Sequence, residues 1–258
     1  MVDRQVPFEG MVRLGLAVQG ELVIDSHIHL GVLKDYFVPQ PEAGRIAACM
    51  DRYGIGLACA SAFAGVGSDF VFGNDLVAEA VRAYPQRFFG YTILNANYPE
   101  DLIPELERGE RIGLGGIKLI TAYQGLPEET ERFFPVYEWA NARRKIILSH
   151  QWGAPSFLAQ IAARYPDIAF LIGHLNLGYA EVMRRFDNVF TTTTFVPWPG
   201  AIATAVQRFG AEKILFGTDI PDLDPALNLG PLLTARISDE DKRLILGHTM
   251  QWLLAAHR

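Results

Sequence analysis

The chain has 258 residues, half of them hydrophobic and a fifth charged, which supplies a sizeable core and leaves too little charge for a disordered chain. Twenty-nine acidic and 23 basic residues give a net charge of −6 with no basic stripe, which argues against nucleic acid as a partner. No run of about 18 apolar residues occurs, so neither a membrane span nor a membrane partner is expected.

Asp3, Glu9 and Arg13 interrupt the N-terminus where a signal peptide would be apolar. The two cysteines, Cys49 and Cys59, match no zinc motif and cannot build a disulfide framework. Both read as buried free thiols of a soluble cytoplasmic protein.

Residues 1–21 show no clear pattern and read as an N-terminal segment ahead of one domain, residues 22–258. Eight short apolar segments then follow, each a predicted strand: Leu22–Ser26, Leu57–Ala62, Phe88–Leu94, Gly116–Ile120, Lys145–Ser149, Ile168–Gly173, Asn188–Thr193 and Lys213–Thr218. Between them lie stretches with helical spacing, such as Leu76, Ala80, Val81 and Tyr84, or Ile202, Val206 and Phe209. Strand starts fall roughly 20 to 35 residues apart, the length of a strand, a crossover helix and two loops. Eight such units predict a single-domain (β/α)8 TIM barrel. A doubly wound open sheet would carry a Gly-rich phosphate turn after the first strand, and this sequence has His27, Ile28 and His29 there instead. Ser238 is placed to cap a closing helix, with acidic residues at 239–241 in its first turn.

Side chains two apart on a strand share a face, so Asp25, His27 and His29 project together. Of only six histidines, four fall at the carboxyl ends of predicted strands: His27, His29, His150 and His174, and Asp219 sits at the end of the eighth. Barrel enzymes build their sites from those ends. Imidazoles and a carboxylate converging on one mouth suit one divalent ion, Zn²⁺ first, with Mn²⁺ or Fe²⁺ as alternatives. Asp25 either orients an imidazole or is bound to backbone amides. His248 and His257 lie in the terminal helices, away from any strand end, and read as packing or surface residues.

Five motifs carry a resemblance. Residues 23–29 read Val-Ile-Asp-Ser-His-Ile-His, 116–119 Gly-Ile-Lys-Leu, 149–150 Ser-His, 172–175 Ile-Gly-His-Leu and 216–221 Phe-Gly-Thr-Asp-Ile-Pro. Together they resemble the amidohydrolase-related (amidohydrolase 2) branch of the amidohydrolase superfamily, TIM-barrel proteins that include hydrolases and non-oxidative decarboxylases similar to aminocarboxymuconate semialdehyde decarboxylase. The resemblance implies that His27, His29, His150 and Asp219 hold the metal and that His174 is catalytic. Lys118 has two readings: a catalytic charge beside one ion or, as in binuclear members, a carboxylated lysine bridging two ions with His174 as a further ligand. One ion is favoured. The chain departs from the branch at Leu119, Ile120 and Thr121, where Leu-His-Pro is usual after the lysine, and at Thr249 and Met250, where Asn-Ala is usual.

The expected function is metal-dependent hydrolysis of an amide, lactone or ester bond in a small molecule, with Asp219 moving the proton of an activated water and His174 acting as base or stabilising the oxyanion. The alternative is non-oxidative decarboxylation or hydration of an aromatic or unsaturated acid, and a third reading is a metal-binding barrel without catalysis. Most arginines fall on predicted helices, leaving Lys34 and Lys118 as the cations available to a substrate carboxylate, which favours hydrolysis. Loop positions nominate Lys34, Tyr36, Tyr123, Trp152, Asn176 and Trp198 as substrate contacts. The resemblance also suggests a homodimer.

Overall fold

The computed structural model describes residues 7–33 and 37–257. Eight parallel strands follow one another in sequence order: β1 (Ile24–Leu30), β2 (Leu57–Ala62), β3 (Phe88–Ile93), β4 (Gly116–Leu119), β5 (Ile146–Ser149), β6 (Ala169–Ile172), β7 (Val189–Thr192) and β8 (Ile214–Leu215). Backbone bonds from Ser26 N to Phe216 O and from Asp219 N to His27 O return the last unit to the first. The result is a single-domain (β/α)8 TIM barrel, as the spacing predicts, with no doubly wound sheet.

Period-two alternation decides which residues face the barrel axis. One buried apolar cluster gathers alternate strand positions, among them Cys59, Tyr91, Leu148, Leu171, Phe190 and Leu215. The intervening positions, such as Ile117, Ile147, Phe170, Val189 and Ile214, join the helices in a second cluster outside the sheet. The first set fills the barrel interior, and Met250 and Leu253 of the closing helix plug its floor. Followed toward the carboxyl ends, the interior rows turn polar: Leu148 leads to His150, Leu171 to Gly173, and Leu215 through Gly217 to Asp219. Apolar packing therefore supports the barrel below, and the chemistry is confined to its mouth.

Two strands differ from the expected ranges by more than one residue at an end. β1 begins two residues later and runs on through His29 to Leu30, because both faces of that segment are covered, and its register with β2 shifts between Asp25 and Ile28. β8 has only two residues. Beyond it, Phe216 and Asp219 bond to β1 and the closing segment: Phe216 O accepts from Ser26 N, Asp219 N donates to His27 O, and Phe216 N donates to Ile245 O.

Ser238 caps its helix as predicted: its Oγ accepts from Asp241 N while Asp241 Oδ2 accepts from Ser238 N, a reciprocal capping box. Among the described residues, no helix is long and apolar enough to cross a membrane. Cys59 is buried as expected, whereas Cys49 is only half-buried.

Candidate metal centre

The floor of the mouth is built on β1 and the loop after β8. His27 and His29 are almost wholly buried, and each owes its orientation to a specific neighbour. His27 Nδ1 lies 2.9 Å from Gly173 O. A carbonyl only accepts, so the ring proton sits on Nδ1 and the Nε2 lone pair faces inward. His29 has Nδ1 3.1 Å from Ser61 Oγ, and its ring stacks on Phe63 at 4.3 Å between centroids.

Asp219 completes a cluster of three, with one ligand atom from each of His27, His29 and Asp219 all within 4.8 Å of one another. Its Oδ1 lies 3.0 Å from His29 Nε2 and 3.5 Å from His27 Nε2, yet it is buried without a hydrogen-bond donor. A carboxylate oxygen and imidazole nitrogens converging on one point are an arrangement that a shared cation satisfies. The residues therefore fit a divalent ion.

His150 and His174 stand beside this trio. His174 Nε2 is 3.0 Å from His150 Nδ1, and the His27 and His174 rings are 5.7 Å apart. His150 thus adjoins the cluster without placing a nitrogen inside it. Burial keeps all four imidazoles neutral at pH 7: His27 falls well below the ordinary value, His29 and His174 are lowered, and His150 falls to about 3, with Lys118 the next largest influence on His27 and His150. For Asp219, burial opposes ionisation, but the surrounding imidazoles outweigh it and hold the carboxyl below the usual range. Neutral imidazole and ionised carboxylate are the forms that bind metal.

Lys118 is wholly buried on β4, with Nζ 2.8 Å from His27 Nε2, and burial brings it down to about 7 against the pull of Asp219. It holds the lone pair that a cation in the cluster would take. It does not line the cavity above, so its contact is with His27. Asp25 takes the second of its two expected roles. It accepts from His27 N, Thr218 N and Thr218 Oγ1, tying β1 to the segment that carries Asp219, and burial pushes it up to about 7.

Above the floor opens a cavity of about 570 Å³. Half of its lining side chains are apolar, among them Phe63, Ile120, Phe195 and Leu223, and the rest include His29, His150, His174 and Asp219. Of the predicted substrate contacts, Tyr123 and Asn176 line it, although Asn176 Oδ1 is already engaged in capping Gly178 N.

Trp152 is corrected to a packing residue. It is 1% exposed, its Nε1 donates to Leu171 O, and its ring packs against Tyr137 and Phe170. Trp198 lines a separate surface groove with Pro199 and Pro231, because its loop turns outward after Pro197. Lys34 and Tyr36 lie outside the described residues. His248 and His257 are far from the mouth, as expected: His248 lines a pocket with Lys213 and Trp252, and His257 bonds Arg144 O.

Phe63 and Phe195 escaped the sequence reading, although Phe63 directly follows the end of β2 and Phe195 lies three residues past the end of β7. Proximity to a strand's carboxyl end was the available signal. Gln151, also on the wall, follows His150 directly.

A protein-family model described as Amidohydrolase matches residues 24–249. Among solved structures, a dihydroxybenzoic acid decarboxylase from a Polaromonas species, with bound manganese and the inhibitor 2-nitroresorcinol, superposes with a TM-score of 0.77 at 19% identity, covering 92% of this chain and 98% of that one. A 5-carboxyvanillate decarboxylase from Sphingomonas paucimobilis gives 0.73 at 18% identity, covering 91% and 99%. A 2,6-dihydroxybenzoate decarboxylase from Rhizobium gives 0.74 at 16%, covering 91% and 99%. At these identities the likeness is one of fold.

Proposed function

The chain belongs to the amidohydrolase family, and from that premise we propose that it is a metal-dependent non-oxidative decarboxylase of an aromatic or unsaturated carboxylic acid. The observation that carries the reading is the cavity: an apolar, partly aromatic wall with a row of histidines and an aspartate in the same enclosure, a lining that suits a flat ring whose oxygens meet the metal centre. The fold likeness to decarboxylases of hydroxylated benzoates supports it.

His27, His29, His150 and Asp219 would hold one divalent ion, Mn²⁺ or Zn²⁺, with His150 closing on the trio. That ion would supply Lewis-acid polarisation of the substrate's oxygens. Asp219, held ionised, accepts the proton of a ring hydroxyl beside the carboxylate and returns it to the ring carbon. The bond from that carbon to the carboxylate then breaks, carbon dioxide leaves, and the ring regains its aromatic electrons. His174, on the wall beside His150, stabilises the charge that develops on the substrate oxygens. Phe63, Ile120 and Phe195 bound the space for the ring and limit water. Lys118, beneath His27, would yield the His27 lone pair to the ion.

Hydrolysis is the second reading, favoured by one observation: among the described residues, no lysine or arginine lines the cavity to pair with a substrate carboxylate. A panel of 2-hydroxybenzoates, amides and lactones, offered to protein loaded with Mn²⁺ or Zn²⁺, separates the two by product. Carbon dioxide from a benzoate supports decarboxylation. Acid release from an amide or lactone with no carbon dioxide would replace it with hydrolysis.

A further inference from the structure

Two residues other than glycine on the cavity wall have a positive φ, Phe195 at 55° and Asp219 at 68°. Side chains rarely adopt this conformation, and it persists where the surroundings over-determine it. One buried side chain touches the peptide units in front of both. Asn228, 1% exposed in the helix Ala226–Leu233, donates from Nδ2 to Thr218 O at 3.0 Å and accepts at Oδ1 from Phe195 N at 3.0 Å.

The geometry at each end is the same. The peptide plane between Thr218 and Asp219 is pinned by Asn228 at its carbonyl and by His27 O at its amide, 2.9 Å from Asp219 N. The plane between Thr194 and Phe195 is pinned by Asn228 at its amide and, at its carbonyl, by Leu175 N, next to His174. Fixing both polar ends of a peptide plane fixes where the following side chain leaves the backbone. For residue 219 that side chain is the carboxylate of the cluster, and for residue 195 it is an aromatic lip, 63% exposed at the cavity mouth.

We infer that Asn228 is a positioning residue that sets the Asp219 carboxylate for a cation and holds the Phe195 lip in register with it. The two halves of its amide divide the work. The donor half serves the metal, and the acceptor half serves the ring of the substrate. This rests on the metal site proposed above.

The test compares wild-type protein with Asn228→Ala and Asn228→Asp, each stripped of metal and titrated with Mn²⁺ against a chelating dye at about 10 °C, where a weakened barrel stays folded. Asn228→Asp is nearly isosteric and keeps the acceptor for Phe195 N while removing the donor to Thr218 O. Both variants should bind Mn²⁺ roughly 10- to 100-fold more weakly, the effect of removing a group that orients a metal ligand. With Mn²⁺ saturating, KM for the best benzoate of the panel should rise in Asn228→Ala and stay near wild type in Asn228→Asp. Folded variants that bind Mn²⁺ within about twofold of wild type, with only a lower Tm, would reduce Asn228 to a packing residue and overturn the inference. If Asn228→Ala does not accumulate as folded protein, Asn228→Asp decides alone. Wild-type protein that does not bind Mn²⁺ would instead end the reading of the metal site itself.

Discussion

Replacing Gly173 by alanine should damage the metal centre through the backbone alone. A Cβ built there would lie 2.8 Å from Ser149 O, 3.1 Å from His150 Cα and 3.2 Å from His27 Cε1, where ordinary contact begins at 3.4 Å. The first two obstacles are main chain, so β5 and β6 would have to part by about 0.6 Å at the mouth. Gly173 O also receives His27 Nδ1 and Thr192 Oγ1, so the displacement passes to the imidazole that faces the cluster. Overpacking of this kind costs about 1–3 kcal/mol, or a fall in Tm of roughly 2–12 °C for a domain of this size. Mn²⁺ affinity should fall roughly 10- to 100-fold with it. The assays are thermal unfolding of chelator-treated protein and Mn²⁺ titration at low temperature. Gly230→Ala serves as control, since a Cβ there meets nothing within 4 Å and alanine in a helix is neutral or stabilising. An unchanged Tm and an unchanged affinity in Gly173→Ala would refute the packing argument.

Trp152→Ala should cost about 3–5 kcal/mol by emptying a buried aromatic cluster, and Trp152→Phe about 0.5–1.5 kcal/mol by removing the bond from Nε1 to Leu171 O. Neither should shift KM in the folded protein, and a KM change in Trp152→Phe would return that residue to the binding site. His174→Asn should lower kcat by roughly 10²- to 10⁴-fold while leaving Mn²⁺ affinity within about threefold of wild type. A matching collapse of affinity would make His174 a ligand and revive the binuclear reading. Burial lowers His257 from its ordinary 6.5, so below about pH 6.5 the unfolded chain binds more protons and stability falls as pH falls. Wild type should therefore lose more Tm between about pH 7.5 and 5.5 than His257→Gln does, and equal losses would show that the imidazole is not desolvated.

The barrel was legible because its strands are short, apolar and evenly spaced, a pattern set by crossover length, and because the His and Asp residues fall at their carboxyl ends. The motifs at residues 27–29, 150 and 219 foretold one mouth, and the fold brings them to it. Less visible was anything set by how the loops turn. Trp152 sits two residues past His150 and reads as a wall residue, but the chain folds inward there and its ring is sealed under the loop. Trp198 follows a loop that turns outward. Phe63 and Phe195 line the cavity without any motif, and Asn228 acts through two peptide planes about 10 and 33 residues away in sequence, a relation that no local pattern encodes. The balance between hydrolysis and decarboxylation was also out of reach, because cation placement on helices excludes anchors without naming a reaction.

We propose that His27, His29, His150 and Asp219 would hold one divalent ion and that release of carbon dioxide from a planar acid depends on it. The most direct test of this proposal is metal-free protein titrated with Mn²⁺ while carbon dioxide release from the best benzoate of the panel is followed, in wild type and in Asp219→Asn. Activity should rise to a plateau at one equivalent per chain in wild type and be absent in Asp219→Asn, whose circular dichroism still reports a folded barrel. Release of carbon dioxide that survives exhaustive chelation, or that persists in Asp219→Asn, would contradict it.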